Sequence, residues 1–414
     1  MRRLLAVMVV IGLVSVAMSV PAAADDTAVT KDEIKIGVSY VDLAAVRAAG
    51  INRDHGDYVK AYQTVIDDLN ANGGVNGRKI VPVYAGIDPI GTDPAQQACV
   101  KLTEDDKVFA VIGQFQGDAP LCYVEQHKTP VVGGTITTEN LKRAKAPWYT
   151  LEPSDPDVAL IVDALAKDRV FTKGKVGVID VAQEKSVVDD IVMPALKKNK
   201  VSSTSVAILN APQGDIPAGQ AEMDTVLERF KADKVKTILA VGGTGVLTAQ
   251  RLAMTDYRPR LALTNQGVIS AYLNTAGSDK SVLKDAITGN PSYPYNDPTL
   301  TKCRDKVAAA TNEKMVETPA PGQPSYRTSA EVACRYVALF AALATAAGKN
   351  LTAASFGKAA EKAGSVDVPG SGAIAYNPKT HTFAQPVFLA RYDPSTQTFV
   401  TDPQPTGTNA TTGK

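Results

Sequence analysis

Histidine is scarce in this chain: His55, His127 and His381 are the only three, and they lie in unrelated segments. No H-E-x-x-H, G-x-S-x-G or P-loop pattern occurs, so zinc proteases, α/β-hydrolases and P-loop nucleotide enzymes are excluded in their usual forms. Ser281-Val282-Leu283-Lys284 spells S-x-x-K but lacks the S-D-N and K-T-G partners that give that motif its chemistry. Charge of one sign is also lacking, with 44 Lys and Arg against 43 Asp and Glu. A near-neutral chain offers no electrostatic reason for a nucleic-acid or anionic-membrane partner. None of the four cysteines stands in a C-x-x-C pair, which leaves zinc and dithiol redox readings without support.

What is present begins with an address. Met1-Arg2-Arg3 is a short basic start, Leu4 to Val20 is a small-apolar run, and Ala22-Ala23-Ala24 precedes Asp25-Asp26. That is the layout of a secretory signal peptide over residues 1–24. The run is slightly short for a span and ends at Pro21, which favours cleavage over a retained anchor. No lipid-accepting cysteine follows it, and no second segment is expected to cross a membrane. Removal of residues 1–24 takes Arg2 and Arg3 and no acid, so the exported chain becomes slightly acidic. Export makes Cys99, Cys122, Cys303 and Cys334 disulfide candidates. Three pairings are possible, and four buried thiols are the alternative. The sequence-local pairing, Cys99–Cys122 and Cys303–Cys334, closes moderate loops, each worth about 3 kcal/mol in a chain-entropy model.

Short β-branched runs alternate with helix-period segments. Strands are expected at 34–39, 79–84, 108–113, 130–132, 175–180, 204–209, 236–241 and 261–264. The clearest helix runs from about Asp57 to Asn70, with Tyr58, Tyr62, Val65, Ile66 and Leu69 on one face. Asn72-Gly73-Gly74 ends it. Such alternation gives parallel sheets covered on both faces. Three breaks interrupt it: the prolines between Ala146 and Pro156, those between Asn290 and Pro298, and the glycine-bearing stretch 364–372. Helices are expected at about 299–311 and 325–347, and two last strands at 372–376 and 385–391. The division expected is therefore 31–150 plus 296–365 as lobe 1 and 151–295 plus 366–402 as lobe 2, with 403–414 a disordered tail.

In open α/β sheets ligands sit outside the carboxyl ends of strands, in the loops that lead into helices. In the first lobe those loops carry Gln114, Phe115, Gln116, Gly117 and Asp118, then Thr135, Thr137 and Thr138. Asp118 is placed to cap a helix starting near Ala119, whose free N–H groups would attract an anion or carbonyl. In the second lobe they carry Gln183 and Lys185, Gly243 and Thr244, and Asn265 and Gln266. Gly242-Gly243-Thr244-Gly245 hints at a dinucleotide loop but lacks the third glycine and the later acid, so no cofactor is expected, and no metal.

Ile34-Lys35-Ile36-Gly37-Val38, the stretch from Ile66 through Asn72-Gly73-Gly74-Val75-Asn76-Gly77-Arg78-Lys79-Ile80, and Asp105 through Gly113 closely resemble the leucine/isoleucine/valine-binding family of ABC-importer receptors. Thr129-Pro130-Val131-Val132 continues the likeness, and Gly372-Ala373-Ile374-Ala375-Tyr376 with the following strand is similar to that family's closing hairpin. The resemblance spans most of the exported chain and is strongest over residues 34–138. It implies a type I periplasmic-binding-protein fold: two Rossmann-like lobes, three crossovers and a ligand cleft between the lobes. It also implies a monomer that captures a small solute outside the membrane and delivers it to a permease and ATPase complex, with no catalysis. The serine that would hold a ligand carboxylate is matched by Gly117 or Asp118, and the next loop's threonine by Thr137 or Thr138. Gln266 stands where an acid would pair with an α-ammonium group, and the aromatic contacts expected near Lys185 and Thr244 are absent. These departures suit a neutral or cationic polar solute (an amide or amine) better than a branched-chain amino acid. A sensory module on the same fold is the alternative, and a secreted hydrolase a more distant one.

Overall fold

The computed structural model describes residues 28–44, 47, 54–88, 93–115, 117–151, 155–172, 174–212, 215–273, 275, 277–291, 295–317, 319, 323–383, 387–402 and 406. The proposed signal segment, Gln116 and most of the expected tail lie outside these residues.

The first sheet has five parallel strands: β1 (Glu33–Val41), β2 (Lys79–Ile87), β3 (Ala110–Gly113), β4 (Val131–Gly133) and β5 (Trp148–Tyr149), in the order β2-β1-β3-β4-β5. Side chains alternate across it. Ile34, Ile36, Val38, Ala110 and Ile112 enter one core, under helices Tyr58–Ala71 and Arg327–Ala347. Val111, Val131 and Trp148 enter the other, under helix Asp93–Val100 and the π-helical turns 101–105 and 122–126. Period-two burial on both faces is what a parallel sheet between two helical layers requires. Trp148, fully buried, donates from Nε1 to the Gly133 carbonyl at 2.8 Å and so ties the short edge strand to β4.

The second sheet repeats the plan with β6 (Lys175–Val181), β7 (Thr204–Leu209), β8 (Val235–Ala240), β9 (Arg260–Leu263) and β10 (Ile287–Pro291), ordered β10-β9-β8-β6-β7 and all parallel. Ile179, Ile238, Leu261 and Leu263 face one core, while Val176, Val178, Leu239 and Ala262 face the other. Five strands come after β10. β11 (Ser365–Val368), β12 (Gly372–Asn377) and β13 (Thr382–Phe383) form a small antiparallel sheet, and β14 (Val387–Asp393) and β15 (Thr398–Thr401) extend the second sheet antiparallel to β10.

This arrangement corrects two expectations. The strands at 372–377 and 387–393 do not pair with each other, because β12 pairs with β11 and β13. Residues 366–383, expected in the second lobe, pack on the first: Val366, Val368, Ile374 and Phe383 share its core with Phe356 and Tyr149. Their apolar faces match that core, so the chain returns to the second lobe only between Phe383 and Val387. Tertiary pairing also makes strands where no signal was read, at β5, β10, β11, β13 and β15. Thr406, inside the expected tail, donates from its N–H to the Val387 carbonyl at 2.9 Å.

The chain thus passes between lobes three times, after Leu151, after Pro291 and after Phe383. The segments that lead into the first and third passages are joined by a parallel bridge between Thr150 and Thr382. The second is anchored by Arg304, which donates to the Tyr295 carbonyl at 3.0 Å, lies 3.6 Å over the Tyr295 ring and pairs with buried Glu331. Helix Arg327–Ala347 is long and apolar enough to cross a membrane, contrary to expectation, but its Leu339, Phe340 and Leu343 are buried in the first core.

Disulfides join Cys99 to Cys122 and Cys303 to Cys334, the sequence-local pairing. Cys99 and Cys122 therefore cannot serve with nearby His127 as metal ligands. Replacing Cys303 and Cys334 together by Ser is expected to lower unfolding stability by about 3 kcal/mol, read as a lower urea midpoint with a steeper slope, because the unbridged unfolded chain exposes more surface. His381 gives a second test. Its ring stacks on Tyr149 at 5.9 Å, its Nδ1 is buried without a hydrogen bond, and burial pushes its pKa below the usual value. The proton is thus disfavoured in the folded state, so this contribution to stability is present above about pH 6.5 and is lost as pH falls through the lower folded pKa. His381→Asn, which tolerates the left-handed backbone there (φ 55°), should make the melting temperature less sensitive to acid than wild type.

Candidate functional site

Each sheet has one place where successive connections leave in opposite directions. β1 lies between β2 and β3, and β6 between β7 and β8, so the loops after β1 and β3 part, as do those after β6 and β8. The crevice left at the carboxyl ends of such a strand pair is where α/β sheets hold ligands.

In the first lobe the crevice floor is tight. Ser39 is fully buried and donates from Oγ to the Gln114 carbonyl at 2.6 Å, and Gln114 N–H returns a bond to the Ser39 carbonyl at 3.0 Å. Gly113 ends β3 at φ 119°, where a Cβ would stand 2.2 Å from the Ser39 oxygen. Only glycine permits that approach. Gln114 carries a buried Oε1 that makes no hydrogen bond. Phe115 packs edge-on against Tyr123 at 5.6 Å, so it plugs the core beneath the loop.

Asp118 departs from its expected role. The segment after it is a turn and a short π-helical stretch without a side-chain cap. The Asp118 carboxylate instead accepts from Asn140 Nδ2 at 2.7 Å and locks the loop after β3 to the one after β4. Thr137 does cap helix Thr138–Arg143, accepting from the Asn140 N–H at 3.1 Å. Asn140 therefore holds both loops, a role its sequence position did not signal. Thr135, Thr138 and Gly117 are exposed.

β1 ends in a polar cavity of about 370 Å³ lined by Tyr40, Asp42, Arg47, Asp54, His55, Tyr58 and Glu313. Tyr40 stacks on Tyr58 at 5.8 Å, and His55 Nδ1 lies 3.0 Å from the Tyr58 hydroxyl. Glu313 accepts from the Asp57 N–H at 3.1 Å, and burial raises its pKa. The loop after β1 was legible as a strand end; its partner Glu313, some 250 residues on, was not.

In the second lobe Lys185 is ion-paired with Asp189, and Gln183 lies in the turn Ala182–Glu184. Thr244 is buried, and its hydroxyl is spent on the Val241 carbonyl at 2.8 Å, which leaves exposed Gly243 as the outward position. Gly245 is a packing glycine: a Cβ there would stand 2.6 Å from Leu263. Asn265 Oδ1 accepts from the Val268 N–H at 3.3 Å, capping helix Gln266–Leu273, and half-buried Gln266 opens it. These last two lie one strand away from the β6/β8 crevice. The crevice itself is floored by Asp180, Gly242 and Thr264, with the Gly242 N–H donating to Thr264 Oγ1 at 3.0 Å. Asp180 is fully buried, and burial, with Glu184 nearby, pushes its pKa up to about 7. Sequence reading passed over it as the last residue of an apolar strand.

The arrangement defines a class: a two-lobed α/β binding protein whose sheets each present a polar switch crevice. The comparisons narrow it. The family model for the periplasmic binding protein matches residues 33–398. No curated protein matches the chain in sequence. Among solved structures, an ABC transporter substrate-binding protein from Desulfitobacterium hafniense in complex with Leu is 14% identical with TM-score 0.61, the match covering 90% of this chain and 100% of that one. A fatty acid ABC transporter substrate-binding protein from Thermomonospora curvata is 16% identical with TM-score 0.59, covering 90% and 92%. A solute binding protein of an ABC transporter from Rhodopseudomonas palustris BisB5, in complex with 3,4-dihydroxy benzoic acid, is 15% identical with TM-score 0.58, covering 90% and 96%. At such identity the structures speak for the fold alone. The chain belongs to the periplasmic binding protein family, with the type I fold: a solute-binding, non-enzymatic protein that works outside the cytoplasm.

If the loops after β3 and β4 meet the solute together, Asn140→Ala should weaken binding at least as much as Asp118→Ala, since it frees both loops. Each is expected to cost about 1 kcal/mol or more, measured by titration calorimetry with the best ligand.

Proposed function

We propose that the chain is the exported receptor of an ABC importer, secreted through residues 1–24 and working as a monomer. It captures a small polar organic solute, a branched-chain amino acid or an amide or amine relative, and delivers it to a membrane permease and ATPase complex. The observation that carries this reading is the pair of polar switch crevices, one per lobe, joined by three chain passages, with both disulfides, Cys99–Cys122 and Cys303–Cys334, lying within the first lobe. Passages of this kind let lobes hinge about a ligand held between them, and interlobe clefts are preferred ligand sites. Gln114, Gly117, Asp118, Thr135, Thr137 and Thr138 line the first lobe's side in this reading; Gly243, Asn265 and Gln266 line the second's. Gln266 in place of an acid, together with the acidic cavity at the end of β1, supports a solute without a free α-carboxylate. That the structural relatives hold ligands as different as Leu and 3,4-dihydroxy benzoic acid supports leaving the ligand to side-chain chemistry.

A thermal-shift screen against amino acids, amides, amines and aromatic acids tests the reading. A true ligand at a hundredfold excess over its Kd stabilises the folded state by about 2.7 kcal/mol, and small-angle scattering should show compaction with it. Strong stabilisation by leucine, isoleucine and valine would overturn the inference drawn from Gln266.

A further inference from the structure

The near-balance of charge over the whole chain, 44 bases against 43 acids, conceals an uneven distribution in the second lobe. Strands β6 to β10 are parallel, so their amino ends share one edge of the sheet, the edge remote from the crevice. Exposed bases gather along it: Arg169 before β6, Lys197 and Lys200 before β7, Lys234 before β8 with Lys236 inside it, and Lys284 before β10. Among the described residues none of these bases is ion-paired. The acids of the same connections are mostly taken, Asp168 by Arg391, Asp233 by Lys175, Asp256 by Lys231 and Asp279 by Arg258. Exposed Asp285 is left, with Glu228 inside the helix that precedes β8. From β7 to β10 the row is about 19 Å wide at the usual strand spacing.

Helix polarity does not account for this edge. A helix favours a base anywhere in its last turn, and Lys197 satisfies that on ordinary backbone. Arg169, Lys200 and Lys234 instead stand just past helix ends with φ of 61°, 61° and 58°. That is the left-handed position glycine takes with least strain. The first lobe has Lys107 and Lys128 in the same conformation, but there Glu104, Asp105 and Asp106 close the preceding turn and the charge is mixed. In the second lobe the bases stand on the tips of connections along one front. The aromatics of these connections are turned inward, Phe171 buried and Tyr257 donating to the Val235 carbonyl at 2.7 Å. A front of bases without aromatic platforms suits a plane of phosphates, whereas a nucleic-acid strand is held in a groove with rings between the bases. We propose that this edge docks the protein on an anionic membrane surface, its bases set against lipid phosphates. Docked this way, the crevice of β6 and β8, at the opposite ends of the same strands, faces away from the lipid and stays open. The docking surface shares no residue with the crevice, so it stands or falls apart from the receptor reading.

The test is co-sedimentation of the full exported chain with vesicles of phosphatidylglycerol and phosphatidylcholine, against phosphatidylcholine alone. Binding is expected to the anionic vesicles only, and to vanish near 1 M salt, where the Debye length is about 3 Å. Lys200→Gln, Lys234→Gln and Lys236→Gln together should lower the partition coefficient by about a hundredfold and leave the melting temperature unchanged. Should that variant unfold, Lys236→Gln with Lys284→Gln, both on ordinary backbone, reads the same edge and should cost about 25-fold. Lys349→Gln, Lys358→Gln and Lys362→Gln remove the same charge from exposed positions of the first lobe and should leave binding as it was. Equal losses in the two triple variants would mean that bulk charge, not this edge, meets the lipid, and would overturn the proposal. So would failure to bind anionic vesicles at low salt, or capture by heparin or single-stranded DNA while vesicles are left untouched.

Discussion

The crevices proposed to hold the solute depend on where β1 and β6 sit in their sheets. Each is buried on both faces and paired on both sides, so each must be a run of small and branched apolar residues, and every loop that follows a parallel strand must leave from the same edge. Because the next strand is laid on one side of it and the one after on the other, the loops diverge and a gap opens at its carboxyl end. Ser39, Gly113 and Gln114 close the floor of that gap in the first lobe, while Asp180, Gly242 and Thr264 form it in the second. The polar groups sit there because a strand end is where the backbone stops consuming hydrogen bonds.

The two lobes meet this constraint with different chemistry. The first builds a rigid rim: Asp118 and Thr137 both converge on Asn140, so two loops move as one body. The second is less settled electrostatically, with a buried carboxyl whose burial holds its pKa near neutrality.

The passages between lobes are treated as structure in their own right. Thr150 and Thr382 bridge the segments that lead into the first and third, and the stacked ring of His381 packs beside Tyr149 at their base. The second is pinned by Arg304 between the Tyr295 ring and Glu331.

Much of this was readable in the chain itself. Alternation of β-branched runs with helix-period segments marks two covered parallel sheets, because burial on both faces leaves a periodic trace in residue type. Proline clusters mark where neither helix nor central strand can continue, and they found the first two passages. Asn72-Gly73-Gly74 and the cysteine spacing likewise carry local information. What the chain could not disclose is whatever depends on partners far away in sequence. Whether residues 366–383 belong to the first core, whether β12 pairs with β11 or with β14, and that Asn140 reaches Asp118 were decided by packing. Asp180 is the plainest case. By sequence it is one polar residue closing an apolar strand; its full burial exists only once β8 and β9 are laid beside β6. Periodicity follows from the neighbours a residue has along the chain, whereas charge compensation follows from those it meets in space, and only the fold chooses the latter.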